Sequence, residues 1–137
     1  IINLSANISF IPVICYEIVF YWKLLNKFNN KGNFIVNITN DFWFGDYLGP
    51  YQHFYLTKIR AAEFNKPIIR VSNNGISAVI DNNGAVLNKT ELNKTQNFKH
   101  KLLFKENNNF VNFHLIFKIY LFIIFTLSHF YYLRKND

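Results

Sequence analysis

Cys15 is the only thiol in the chain. A cysteine at the end of an apolar strand is ordinarily a small packing residue. The setting of this one opens another reading, because Cys15-Tyr16-Glu17 lies where a strand gives way to a helical stretch. Such a bend exposes a side chain on a sharp turn and aims backbone N–H groups at an oxyanion, the geometry of nucleophilic acyl chemistry. A following helix N-terminus also favours the thiolate. A nucleophilic thiol needs a base. The histidines are His53, His100, His114 and His129, and only His53 stands in a motif-like setting, on a helix face among aromatics where a structural role serves equally well. No Cys/His/Asn arrangement emerges, so the base is expected to be a carboxylate or to lie on another part of the protein.

A second cluster of unusual content is NDFWFGDYLGP, residues 40–50. Two glycines, a proline, two carboxylates and four aromatics are too specialised for a plain connector. Trp43 and Phe44 are expected either on a loop that meets lipid chains at a membrane surface, where aromatic rings are at home, or in the core. Asp41 and Asp46 read as turn and capping residues. Arg60 and Glu63, three apart on a helix, read as an ion pair. Arg70 stands in an apolar strand and needs a partner, for which one of these carboxylates is available.

The elements that must position these residues follow from periodicity. Ser9 to Cys15 is apolar and β-rich, with the short strand proper expected at Val13 to Cys15 because Pro12 suits a strand start or an edge. A helix is expected from Glu17 toward Phe28, closed by the turn cluster Asn29 to Asn33. Phe34 to Ile38 reads as a buried strand. Pro50 fits the first helical position, with Tyr51, Phe54, Tyr55, Ile59 and Ala62 forming an apolar face and the helix ending near Asn65, before Pro67. Pro67 to Ser72 and Ile76 to Asp81 read as strands about the turn Asn73-Asn74-Gly75, and Ala85 to Lys89 as a return strand after Asn82-Asn83-Gly84. The polar stretch Thr90 to Lys101 is uninformative. The pattern of strand, helix, strand, helix and meander predicts an α/β sheet covered by helices.

Phe113 to Leu133 differs in kind: 21 residues, about 31 Å as a helix, against a hydrocarbon thickness of ~30 Å. Lys118 and His114 lie near one end, Tyr131 and Tyr132 near the other, and Arg134-Lys135 follow. This predicts a transmembrane helix over residues 110–133 and a cytoplasmic tail over 134–137.

Composition narrows the classes. The 137 residues suffice for one domain. A single sulfur excludes an internal disulfide framework and a zinc site built on several thiolates. With 16 Phe and 8 Tyr, disorder is not expected. The net charge of +7 comes from scattered lysines and no nucleic-acid-binding motif is present, so nucleic acid is not an expected partner. No Met occurs and Ile1 opens an apolar stretch, which predicts a fragment whose N-terminal side is missing.

The stretch PVICYEIVF, residues 12–20, followed by NITNDFWFGDYLGPYQHFYLTKIRAAEFNKPIIRVSNNGISAVIDNNG, residues 37–84, resembles the C-terminal half of the catalytic domain of bacterial apolipoprotein N-acyltransferases, membrane-bound members of the nitrilase (carbon-nitrogen hydrolase) superfamily. A lone C-Y-E would be weak. C-Y-E, N-D-x-W-F-G-D, G-P-x-Q-H, R-A-x-E and N-N-G in this order and spacing are specific. The Asn- and Lys-rich segment between Lys89 and Phe113 departs from the family, which carries a Gly-Asp-type, aromatic-rich segment there.

The resemblance implies an α/β fold, the C-terminal part of an αββα nitrilase-type sandwich over residues 1–109 followed by the transmembrane helix. It implies that Cys15 is the nucleophile, taking a fatty acyl chain from a phospholipid donor as a thioester and passing it to the N-terminal amine of a diacylglyceryl-cysteine apolipoprotein. Tyr16 would offer its backbone N–H to the oxyanion and Glu17 would hold the site. Trp43 and Phe44 are the expected lipid-contacting residues. No metal or cofactor is implied. The implied location is the bacterial inner membrane, with the catalytic domain on the periplasmic side. The family's general-base Glu and oxyanion-stabilising Lys lie upstream of the nucleophile, and Ile1 to Ile14 contain neither, so the isolated chain is expected to be inactive. Two competing readings are a soluble nitrilase-type amidase, with water as acyl acceptor, and a non-catalytic membrane-anchored remnant.

Overall fold

The computed structural model describes residues 1–27, 32–102 and 113–136. Six strands form one sheet in chain order: β1 (Ile2–Asn3), β2 (Ser9–Ile14), β3 (Phe34–Asn40), β4 (Ile68–Asn73), β5 (Ala78–Ile80) and β6 (Val86–Lys89). β2, β3 and β4 run parallel, and the pairs β1/β2, β4/β5 and β5/β6 are antiparallel. The parallel strands are joined through helices, as parallel pairing requires. A 3₁₀ turn at Cys15–Val19 and helix α1 (Tyr21–Lys27) link β2 to β3, while a 3₁₀ turn at Phe42–Phe44 and helix α2 (Leu48–Phe64) link β3 to β4.

Strand alternation gives this sheet two unlike faces. Ile11, Val13, Ile35, Ile68, Ala78 and Ile80 point to one, where they pack with Leu24 of α1 and Phe54, Ala61 and Phe64 of α2 into the core. The opposite face carries Ile14, Ile38 and Val71, all about half exposed. It is apolar and open around these three residues, while Phe34 and Val79 on the same face are buried.

Several expectations are corrected. The strand expected at Val13 to Cys15 begins at Ser9 and ends at Ile14. On the β1 side the ladder stops at Phe10, so from Pro12 onward β2 has a free edge among the described residues, where a residue without an N–H is tolerated. The helix expected from Glu17 is a 3₁₀ turn followed by α1. The predicted closing turn lies partly outside the described residues, as does Phe28. α2 starts at Leu48, two residues before Pro50, which still falls among the first four positions, where no N–H is used inside the helix. It closes at Asn65, whose φ of 50° is the left-handed cap ahead of Pro67. The buried face of α2 is Pro50, His53, Phe54, Thr57, Arg60, Ala61 and Phe64, whereas Tyr51 and Tyr55 are exposed. The strand expected over Ile76 to Asp81 shortens to Ala78–Ile80, because residues 74–77 are spent on the connection from β4.

Helix α3 (Phe113–Asn136) is long and apolar enough to cross a membrane. The 18 residues Leu115–Tyr132 have a mean hydropathy of 1.6, and none is buried against the rest of the chain.

Candidate active site

The parallel strands β2, β3 and β4 present their carboxyl ends side by side, the place where α/β sheets put their chemistry. Cys15 follows β2 directly. Its φ of 49° is in the left-handed region, which a non-glycine residue occupies at a cost and which turns the chain abruptly out of the sheet. The sulfur is therefore placed by a strained bend between strand and 3₁₀ turn. Two contacts hold that bend. Asn37 of β3 donates its amide to the carbonyls of Val13 at 3.1 Å and Cys15 at 3.4 Å. Glu17 Oε2 accepts the backbone N–H of Ile14 at 2.9 Å.

The sulfur itself is partly exposed and lies 3.6 Å from Thr39 Oγ1. Burial pushes the Cys15 thiol up, but hydrogen bonds from the Asn40 backbone, the Thr39 hydroxyl and the Tyr16 backbone outweigh that, so it ionises below its ordinary value despite the nearby Asp41 charge. A lowered thiol is the reactive kind.

Beneath the sulfur lies a buried polar cluster. Asp41 heads the 3₁₀ turn Phe42–Phe44, as a turn and capping residue would, but its side chain makes no cap bond and it is 1% exposed. Its Oδ1 lies 2.8 Å from His53 Nδ1 and its Oδ2 2.6 Å from Arg70 Nη2. Burial pushes the Asp41 carboxyl up, and the bonds from His53 and Arg70 overcome this and hold it below the usual carboxylate range. Arg70 also donates to Asn37 Oδ1 at 2.8 Å, Thr57 Oγ1 at 2.9 Å and the Ile76 carbonyl at 3.2 Å, and its Nη2 lies 3.3 Å from His53 Nδ1. Burial draws the guanidinium down against the pull of Asp41, yet an arginine stays charged. The partner required for Arg70 is thus Asp41, one of the carboxylates expected. Gly75 completes the arrangement, since a Cβ there would overlap Asp41 Oδ2 and Ser72 Oγ.

His53 is buried, and its ring packs against those of Tyr16 and Phe44, with centroids 5.5 and 5.2 Å away. It bonds Asp41 rather than Cys15. Its Nε2 is the one buried side-chain nitrogen or oxygen without a partner among the described residues. The predicted Arg60–Glu63 pair forms. Arg60 also donates to the carbonyls of Ile18 and Val19, both at 2.9 Å, tying α2 to the turn that carries Cys15.

Sequence reasoning missed the reach of this cluster. Thr39, Asn37 and Thr57 carry no motif of their own, and His53, though it closes G-P-x-Q-H, gave no sign of its partner. The available signal was polarity inside strands and on a helix face, which a search for apolar periodicity discards. Tyr16 is 45% exposed beside Phe20 and Phe44. Trp43 and Phe44 part company: Trp43 is 83% exposed, outside the core, while Phe44 is half-buried against Tyr16 and His53. Asp46 is exposed and accepts the Asn93 amide at 2.6 Å.

A thiol on a strained bend at the carboxyl ends of parallel strands, with hydrogen-bond donors on its sulfur, is equipped for acyl transfer through a covalent intermediate. Residues 7–97 match the family model for carbon-nitrogen hydrolases. The chain belongs to the carbon-nitrogen hydrolase family. Within this family it is similar to the apolipoprotein N-acyltransferase of Allorhizobium ampelinum, 44% identical over 93 residues, which are 68% of this chain and 17% of that protein. The enzymes of that name from Rickettsia bellii and Wigglesworthia glossinidia brevipalpis are 46% and 42% identical, over 64% and 61% of this chain and 17% of each relative. The chain thus spans about a sixth of the curated relatives it matches. As a carbon-nitrogen hydrolase segment it contributes a mixed sheet with helices on one face, and it adds an apolar C-terminal helix.

Proposed function

We propose that this chain is the nucleophile-bearing segment of an apolipoprotein N-acyltransferase. The observation that carries the reading is the Cys15 thiol, held in a left-handed bend with its ionised form favoured, inside a segment that is 44% identical to an enzyme of that name.

In the first half-reaction Cys15 Sγ attacks the ester carbonyl of a phospholipid. An S–C bond forms, the ester C–O bond breaks, the thiol proton passes to a general base, and a lysophospholipid alkoxide leaves with a proton. In the second, the terminal amine of a diacylglyceryl-cysteine protein attacks the thioester. An N–C bond forms, the S–C bond breaks, the amine gives up a proton, and the sulfur returns. The backbone N–H of Tyr16 would stabilise the oxyanion in both, and Glu17 would hold the bend through Ile14. The family's base Glu and cationic Lys belong upstream of the nucleophile, and each is worth on the order of 10²–10⁴ in rate.

Exposed Trp43, the neighbouring apolar groove of about 530 Å³ lined by Leu48, Tyr51, Gln52, Tyr55 and Leu56, and the half-buried Phe44 supply aromatic surface for a lipid chain. Helix α3 spans the bacterial inner membrane, with the catalytic part on the periplasmic side and residues 134–137 in the cytoplasm. These features favour lipid over a soluble amide as the acyl source.

The test is to incubate the intact protein, in membranes, with a phospholipid carrying a labelled acyl chain. The expected result is a hydroxylamine-sensitive label on the peptide containing Cys15, absent in Cys15→Ala. Label on another residue, or acceptor acylation by Cys15→Ala at the unsubstituted rate, overturns the reading.

A further inference from the structure

Thr39 stands between the sulfur and the buried carboxylate with one proton for two acceptors. Its Oγ1 lies 3.6 Å from Cys15 Sγ and 3.2 Å from Asp41 Oδ1, and a hydroxyl donates once. The two acceptors are unequally provided for. Asp41 already has His53 Nδ1 on one oxygen and Arg70 Nη2 on the other, so it stays satisfied when Thr39 turns away. Among the described residues the charged sulfur has the Thr39 hydroxyl and the backbone N–H groups of Asn40 and Tyr16. Thr39 is itself 6% exposed and fixed in β3 opposite Ser72 of β4, so its hydroxyl hydrogen can rotate without displacement of the chain.

We propose that Thr39 is a further catalytic residue, a hydroxyl that donates to the Cys15 sulfur while it is a thiolate and to Asp41 Oδ1 once the sulfur is acylated. A thiolate outcompetes a carboxylate that already holds two cationic or ring donors. A thioester sulfur is neutral and a poor acceptor, so the hydroxyl returns to Asp41. The rotation stabilises the attacking form and withdraws that stabilisation from the acylated form. It also interposes a donor dipole between Cys15 and the Asp41 charge, which otherwise opposes thiolate formation.

This inference rests on Cys15 being the acyl-accepting nucleophile, and its test separates the two. The rate of Cys15 alkylation by iodoacetamide is followed against pH in the intact protein, by mass spectrometry of the peptide that carries it. Thr39→Val keeps the shape and removes the hydroxyl, and Thr39→Ser restores it. The midpoint is expected to rise by about one pH unit in Thr39→Val, with alkylation on the order of tenfold slower at pH 7, and to return to within about twofold of the unsubstituted rate in Thr39→Ser. A Thr39→Val profile that superimposes on the unsubstituted one, or a Thr39→Ser profile displaced as far as that of Thr39→Val, overturns the role of the hydroxyl. If Thr39→Val loses its fold, Thr39→Ala carries the same expectation. A shifted alkylation profile together with no acyl label on Cys15 would sustain the donation to sulfur and overturn the return to Asp41 on acylation, along with the acyltransferase reading. An acyl label on Cys15 with no shift would do the reverse.

Discussion

Adjacent residues of β3 and β4 have opposite surroundings. Asn37 and Arg70, paired across the two strands, are 0% and 1% exposed. One step along, Ile38 and Val71 are also paired and are 53% and 51% exposed. The ordinary distribution is reversed: the amide and the guanidinium are inside, and the aliphatic residues face out. The covered face explains itself, because Arg70 donates to Asp41, Asn37, Thr57 and the Ile76 carbonyl and Asp41 supplies the opposite charge. The open face does not, because an apolar strand surface is a surface for packing against another layer. In the αββα sandwich implied by the family resemblance, that layer is a second sheet.

The contrast is broken most severely from the covered side. Arg70→Met removes one partner of a fully buried pair and leaves the Asp41 charge inside without its guanidinium. The expected loss is about 3–5 kcal/mol, read as a fall in the thermal unfolding midpoint of the purified protein. Loss of less than about 1 kcal/mol would show that the cluster is wetter than its burial implies. Gly75→Ala is expected to cost less, about 1–3 kcal/mol, since the added methyl meets Asp41 and Ser72 but deletes no charge. Because Gly75 makes room for Asp41 as well as Ser72, Asp41→Ala combined with Gly75→Ala should be less destabilised than the sum of the two alone, a coupling visible in a double-mutant cycle.

Acid offers a milder perturbation of the same pair. The folded Asp41 carboxyl ionises below its unfolded value of about 3.9. Its contribution is therefore complete above that unfolded value and is lost as pH falls through the lower folded one. Each unit of difference is worth about 1.4 kcal/mol. The slope of stability against pH in the range below about pH 4 should flatten in Asp41→Asn. An unchanged slope would assign the acid sensitivity to other carboxylates.

The covered face is also where reading the sequence succeeded least. Strands β3 and β4, the end of α2 near Asn65 and the long apolar α3 follow from period, punctuation and composition, because each is a local property. The bend at Cys15 was visible as a strand-to-helix change. What could not be read locally was which side of α2 is inside. Tyr51 and Tyr55 outrank His53, Thr57 and Arg60 in hydrophobicity, yet the latter three are buried because Asp41, Arg70 and the carbonyls of Ile18 and Val19 meet them across the chain. Asp41 does head the 3₁₀ turn as expected, but the burial and partners of its side chain escaped notice for the same reason. Its partners are 12 and 29 positions away, and no window along the sequence contains all three.

The smallest expected effect tests the open face. Val71→Thr exchanges a methyl for a hydroxyl of nearly the same shape, so the response reports the surroundings of the site rather than its volume. In the isolated 137-residue chain Val71 is half exposed, the hydroxyl stays hydrated, and the change in stability should lie within about 0.5 kcal/mol. In the intact protein a second sheet over β3 and β4 would bury that hydroxyl without a partner, at about 1–3 kcal/mol. The difference between the two backgrounds is the informative quantity. A large loss in the isolated chain would mean that its own residues already cover the face. Equal, small losses in both would leave the face open in the whole enzyme and remove the reason for a second sheet there.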